Sequence, residues 1–229
     1  MEINIHQGNC PSLKHAQVNI VIDVIRAFTV AHYAFIHGAK EIWLARTQNE
    51  AFLLKENYPD HLLAGEVNGL PIEGFDLDNS PKTIVESNID GKTLIQKTTN
   101  GVTAALNALD AEIVLVTGFT NAKATAEYAR EICGPRQSLL INVVASHPSG
   151  DDDLACAQYI SALINNEPCS ASLTAERIRN SAAAEKFFDD AQPEFDKEDI
   201  GLCVKELDGT FVMQIKSKGQ TPIIERVDM

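Results

Sequence analysis

Apolar runs of strand length alternate with helical patterns along this chain, and that cadence restricts it to an α/β architecture before any other property is considered. Val18 to Val24 reads as a strand, Phe28 to His37 as a helix, Glu41 to Ala45 as a strand and Asn49 to Asn57 as a helix. A short strand at His61 to Ala64 leads into a Gly-rich loop from Gly65 to Asn79, then a short helix that Ser80 caps and Pro81 starts. Strands at Thr93 to Lys97, Ile113 to Val116 and Leu139 to Val144 are each followed by a helix: one opening near Asn100, one over Ala122 to Cys133 and one over Asp151 to Asn165. A long Ala-rich helix is expected over Ser172 to Asp190. Lys197 to Glu206 fits a helix or a strand, and Phe211 to Ile215 with Ile223 to Val227 read as strands around a GQTP turn.

No linker-like or low-complexity stretch divides the 229 residues, so one compact unit is expected. VNIVIDVIRAFTVAHYAFIHGAKEIWLA and KTLIQKTTNGVTAALNALDAEIVLVTG share an order of strand, polar turn, small-residue helix and strand, which raises two intimately packed half-units as a hypothesis. With 19 basic against 32 acidic side chains the formal charge is −13, which disfavours a broad grip on nucleic acid or an anionic membrane. The start, MEINIHQGNC, lacks a basic flank and an apolar core, and no apolar run reaches spanning length, so a cytoplasmic protein is expected. Cys10, Cys133, Cys156, Cys169 and Cys203 form no CxxC pair and read as buried free thiols.

Polar residues gather where the expected strands end, which is where open α/β sheets hold ligands. In VIDVIRA, Asp23 closes a strand and Arg26 opens a helix, placing a carboxylate beside a guanidinium; a structural ion pair is the competing reading. Ile25 stands where a haloacid-dehalogenase-type phosphatase needs its second aspartate, which disfavours that class. AGEVNGLPIEGFDLDNSP crowds Glu66, Glu73, Asp76 and Asp78 among glycines and apolar residues, a donor set suited to Mg2+ but without the EF-hand spacing. In KTTNG, Thr98, Thr99, Asn100 and Gly101 suit an anion at a helix start without being a Walker loop, and ordinary capping is the alternative. TGFTNA, with Gly118 and Asn121, and SHPSGDDD, with His147 and Asp151 to Asp153, complete five polar turns expected to share one sheet edge. His147 is a candidate general acid, against the usual solvated loop histidine.

Taken together, VIDVIRA, GAKEI, LLAGEVNGLPIEGFDLDNSP, KTTNG, GFTNA, the DDxxCA segment and the DIGLCVKELD tail resemble the 2-phosphosulfolactate phosphatase family. The resemblance implies an α/β protein with layered helices around a mixed, largely parallel sheet. It also implies a Mg2+-dependent hydrolase that removes phosphate from the 2-hydroxyl of 3-sulfolactate, a step of coenzyme M biosynthesis. The site residues it carries over are Asp23, Arg26, Glu66, Glu73, Asp76, Asn79, Thr99, Asn100, Asn121 and Asp153. The chain departs from the family pattern at ASHPSG, Asp151 to Asp153 and Cys156 to Gln158, in place of a Gly-Thr-rich turn, Leu-Glu-Asp and Cys-Ala-Gly.

Phosphate monoesters demand charge neutralisation and alignment above all. Asp23, Glu66 and Asp76 are therefore assigned to Mg2+, and Arg26, Asn79, Asn121 and the Thr99, Asn100, Gly101 turn to the substrate. Glu73 or Asp153 would orient the attacking water, with direct attack by Asp23 as the alternative. Two rival functions stay open: a phosphatase of another small phosphorylated carboxylate, and a non-catalytic metal or anion-binding homologue. A homodimer is an expectation on base rate alone.

Overall fold

The computed structural model describes residues 1–9, 13–134, 139–207, 209–218 and 221–229. Cys10 and the Gly219 and Gln220 of the expected turn lie outside the described residues. The order is β1 (Glu2–Gln7), β2 (Ala16–Ile22), α1 (Ala27–Ile36), β3 (Glu41–Leu44), α2 (Gln48–Asn57), β4 (Leu62–Val67), β5 (Leu70–Pro71), α3 (Pro81–Glu86), β6 (Thr93–Lys97) and α4 (Gly101–Asn107). There follow β7 (Ala111–Thr117), α5 (Ala122–Cys133), β8 (Leu140–Ala145), α6 (Asp151–Asn165), α7 (Ala171–Arg179), α8 (Ala182–Glu185), a 3-10 turn over Lys186–Phe188, α9 (Lys197–Cys203), β9 (Phe211–Lys218) and β10 (Thr221–Asp228).

The strands form one mixed, mostly parallel sheet in the order β1-β8-β2-β7-β9-β10-β3-β6-β4-β5. Two parallel sets, β1-β8-β2-β7 and β3-β6-β4, are joined through the antiparallel hairpin of β9 and β10. Helices cover both faces. Val18, Ile20 and Ile22 of β2 pack with α5 and α6, while Val21 points to the opposite face with Phe28 and Ala31 of α1 and Val102 of α4. Burial on both faces is why β2 ends in the consecutive apolar residues Ile20, Val21 and Ile22 rather than in an alternating pattern. Among the described residues no helix is long and apolar enough to cross a membrane.

Local chemistry explains the element ends. Thr47 caps α2 by accepting the Glu50 N–H at 3.1 Å, and Ser80 caps α3 by accepting the Thr83 N–H at 3.1 Å with Pro81 as the first helical residue. Asp196 starts α9 by accepting the Glu198 N–H at 2.8 Å, which settles the Lys197 to Glu206 segment as a helix.

Three expectations change. The long helix over Ser172 to Asp190 is broken at Asn180 and Ser181, two residues of modest helix propensity, and resumes at Ala182. Glu2–Gln7 adds an edge strand whose mixed polar and apolar residues hide it in the sequence. The five polar turns do not share one sheet edge, because the β3-β6-β4 set runs opposite to the β8-β2-β7 set. The carboxyl ends still meet: a Cβ built at Gly101, just past β6, would lie 2.6 Å from Asp23 Oδ2, just past β2. A flat sheet would hold those ends at opposite margins, so the contact requires strong twisting and curling.

Gly65 in β4 shows how tightly that curl is packed. Its φ is +148°, and an added Cβ would sit 1.9 Å from the Lys97 carbonyl oxygen of β6. Gly65→Ala is expected to lower the unfolding free energy in urea by about 3 kcal/mol or to prevent folding, and an unchanged midpoint would contradict this packing.

Candidate active site

β2 delivers Asp23 into a buried position where its Oδ1 accepts the Ala27 N–H at 2.9 Å and its Oδ2 accepts from the Ser146 hydroxyl at 3.3 Å. The next turn carries a cis Ile25–Arg26 peptide and presents Arg26. The Arg26 guanidinium donates from Nη1 to Asp199 Oδ2 at 2.8 Å and from Nη2 to the Gly69 carbonyl at 3.1 Å. It also lies over the Phe187 ring at 4.9 Å and the Phe195 ring at 5.7 Å. Asp199 is itself buried, and its other oxygen accepts from Ser80 Oγ at 2.6 Å and the Lys82 N–H at 3.1 Å.

From the opposite half of the sheet, Glu66 of β4 is fixed at both carboxylate oxygens. Oε1 accepts the Thr99 N–H at 2.5 Å, and Oε2 accepts the Gly69 N–H at 2.5 Å and the Thr99 hydroxyl at 3.0 Å. Thr99 Oγ1 in turn accepts the Asn68 N–H at 2.8 Å, so the turn after β4 and the turn after β6 are stitched together. Lys97 Nζ donates to the Glu66 carbonyl at 3.1 Å.

Asp23, Arg26, Glu66, Asn79, Thr99 and Asn100 all line one cavity of about 250 Å³. Asn100 opens α4 without a side-chain cap bond, and Asn79 is buried with its Oδ1 unpaired. His147 also lines the cavity, and its Nδ1 accepts the Ser149 N–H at 3.2 Å, which leaves Nε2 to carry the proton of the neutral ring. Asp153 lies beneath. Its Oδ1 accepts the Val24 N–H at 2.8 Å, and its Oδ2 accepts from Ser146 Oγ at 3.0 Å and the His147 N–H at 3.1 Å, tying the ends of β2 and β8 to α6.

Three expected residues lie elsewhere. Asp76 accepts the Leu63 N–H at 2.8 Å and pairs with Lys55 at 3.2 Å, so it fastens the loop to β4 and is not brought to the cavity. Glu73 is exposed in the turn after β5. Asn121 is buried at the start of α5, where its Oδ1 accepts from Thr117 Oγ1 at 2.9 Å and the Gly118 N–H at 3.1 Å, so its role is structural.

The site also holds residues that sequence reasoning passed over. Asp199 opens the family-like DIGLCVKELD tail, a signal that places it in a resembling segment without marking it as a site residue. Lys186 and Phe187 reach the cavity only because the helix breaks at Ser181. Ser146 bridges two carboxyls, while Asp152, one of the three acids named in the SHPSGDDD turn, is buried with its Oδ1 unpaired.

The electrostatics are lopsided. Burial pushes the Asp23 carboxyl up from 3.8 to about 7, opposed by the Ala27 N–H and reinforced by Asp152 and Glu66. Burial likewise raises Asp153, helped by Asp152 and Asp23, and raises Asp152. Burial depresses the Lys97 ammonium. The cavity thus joins a carboxylate cluster in need of positive charge to an arginine already held in place.

Comparison with known proteins adds the following. The family model described as 2-phosphosulpholactate phosphatase matches residues 5–217. A protein of Bacillus subtilis (strain 168) named "Probable 2-phosphosulfolactate phosphatase" is 59% identical over 228 residues, covering 99% of each chain. Proteins of the same name from Deinococcus radiodurans and Caldicellulosiruptor saccharolyticus are 36% identical over 157 residues and 39% identical over 153 residues. The first covers 67% of this chain and 65% of its own, the second 65% and 63%.

Because the folded state binds the Asp23 proton more tightly than the unfolded chain, this carboxyl favours the fold below pH 3.8 and increasingly opposes it as pH rises to about 7. In chelator-containing buffer, Asp23→Asn is expected to gain about 2 kcal/mol of stability at pH 8, the gain vanishing towards pH 4. A variant less stable than the parent at pH 8 would contradict the charge imbalance.

Proposed function

This chain belongs to the 2-phosphosulpholactate phosphatase family, which makes it a phosphoric monoester hydrolase, and on that premise we propose that it hydrolyses 2-phospho-3-sulfolactate to 3-sulfolactate and phosphate with Mg2+. The observation that carries this reading is the juxtaposition in one cavity of a braced guanidinium, two carboxylates and an unpaired buried amide oxygen. Such a cavity is suited to a phosphoryl group and a cation together rather than to either alone.

The residues fit Mg2+. Among the described residues no three His, Cys, Asp or Glu side chains form a ready-made cage. Mg2+ needs none, since it usually keeps several waters and takes one or two carboxylates with substrate phosphate oxygens. Asp23, Glu66 and the Asn79 Oδ1 would hold it, and the raised Asp23 carboxyl supports a cation there. When bound, the ion neutralises phosphoryl charge and polarises the phosphorus–oxygen bonds.

The protein's own groups do the rest. Arg26 carries five N–H donors, and those not given to Asp199 and Gly69 face the phosphoryl oxygens as a planar fork. Asp199 positions that fork, held by Ser80 and Lys82. Asn100 supplies a side-chain amide at the start of α4. Hydrolysis joins the water oxygen to phosphorus as the ester phosphorus–oxygen bond breaks. One hydrogen of the attacking water ends on the leaving oxygen and the other stays on the phosphate, and the His147 Nε2–H donates a hydrogen bond to the leaving oxygen as charge develops on it.

Phosphate release from 2-phospho-3-sulfolactate tests the reading: turnover with Mg2+, and its loss in EDTA, are expected. Arg26→Lys should lower kcat/KM about 100-fold, since a point charge replaces the planar fork. Near-normal turnover of that variant would remove Arg26 from the phosphoryl site. Turnover of phosphorylated carboxylates but not of the sulfonate would move the substrate to that class, and no release from any of them would leave a binding protein.

A further inference from the structure

We infer that Lys186 is the residue that selects a substrate with a second anion, a sulfonate or carboxylate, beside its phosphate; this inference rests on the hydrolase reading of the same cavity. Lys186 opens the 3-10 turn after α8 and lines the cavity together with Ala183 and Phe187. Its ammonium lies over the Phe195 ring at 4.2 Å and the Phe187 ring at 5.7 Å. The Arg26 guanidinium lies over the same two rings, which are packed edge to face at 5.2 Å. Two cations therefore share one aromatic pair at one wall of one cavity.

They differ in what balances them. Arg26 has Asp199, whereas among the described residues Lys186 has neither an ion-pair partner nor a hydrogen-bond acceptor. Lys82 of α3 shows the ordinary arrangement, with Asp196 at 2.7 Å and Glu198 at 3.3 Å. Burial and the charge of Arg26 both push the Lys186 ammonium's pKa down, opposed more weakly by Glu66 and Asp152. A half-buried ammonium set beside another cation gains only its aromatic contact unless an anion arrives. Gly69 keeps the approach clear: a Cβ there would lie 2.8 Å from Lys186 Nζ.

The phosphoryl group is assigned to Arg26, Asn100 and the carboxylate side of the cavity, so the anion that Lys186 awaits is a different one on the same small molecule. A compact ammonium on a flexible stem suits a sulfonate or carboxylate without demanding a planar match. Lys186 is thus a specificity residue, and the bond-breaking step is left to the groups already named.

The test compares two substrates with the whole enzyme and Mg2+: 2-phospho-3-sulfolactate and phenyl phosphate, which has no second anion. Lys186→Met is expected to lower kcat/KM for the sulfonated substrate about 30-fold, mainly through KM, and to change phenyl phosphate turnover by less than about twofold. Lys186→Arg, which keeps the charge, should recover most of the loss. Equal losses on both substrates, or no loss on the sulfonated one, would overturn the inference. Should the parent release no phosphate from any ester, the hydrolase reading fails by itself, and calorimetric binding of 3-sulfolactate against lactate decides Lys186 separately. A preference for the sulfonate that Lys186→Met abolishes supports the role, and a preference unaffected by the substitution overturns it.

Discussion

The buried pair of Arg26 and Asp199 is the interaction around which the rest of the site is arranged. Both side chains are almost wholly excluded from water, and their partners come from four places in the chain: the turn after β2, the turn at Gly69, the cap of α3 and the start of α9. A buried ion pair of this sort is weak evidence for stability, since desolvation offsets much of the attraction. Its value lies in orientation. With Asp199 saturated by Arg26, Ser80 and Lys82, the guanidinium has one rotamer to occupy, and its unused N–H groups point where the fold places them rather than where solvent would.

Beside that pair sits the opposite condition, a group of acids that the protein does not balance. Asp23, Asp152 and Asp153 lie close enough to raise one another's proton affinity, and burial adds to the effect. The chain positions hydroxyl and amide donors against Asp23 and Asp153, yet it leaves oxygens of Asp152 and Asn79 unpaired. Such an arrangement costs stability in the empty protein and is retained where a ligand offsets it. The lone ammonium of Lys186 across the same cavity is the complementary imbalance. On the reading proposed above, a divalent cation with the phosphoryl group would answer the first imbalance and a second anion on the same substrate the other.

Much of this was legible because it is local. The strand-ending Asp23, the Ser80–Pro81 cap and the KTTNG turn depend on neighbours a few residues away, and the structure shows Asp23, Arg26, Glu66, Asn79, Thr99 and Asn100 facing one cavity. Long-range partnerships were not legible. Asp199 meets Arg26 from 173 residues away, and although it opens the family-like DIGLCVKELD tail, nothing local there shows that its partner is Arg26. Glu66, Glu73 and Asp76 look equivalent as acids of one loop, yet β4 aims Glu66 inward while the chain reversal spends Asp76 on the Leu63 amide and exposes Glu73. Lys186 was hidden in an Ala-rich helical pattern whose break at Asn180 and Ser181 the surrounding alanines mask.

The similarity between the two strand–turn–helix–strand segments takes on a definite meaning in this topology. Each segment crosses between the two parallel sets: β2 to β3 in one direction, β6 to β7 in the other. The sets are therefore interleaved in the chain, joined through the C-terminal hairpin, and oppositely directed. One set contributes Asp23, His147 and the Asp153 support, and the other contributes Glu66, Thr99 and Asn100. Neither set alone encloses the cavity. Asp23 and the turn that opens α4 become neighbours only when the sheet curls enough for Gly101 to rest against Asp23, so the close approach that glycine permits there is a condition of the proposed chemistry as well as of the packing.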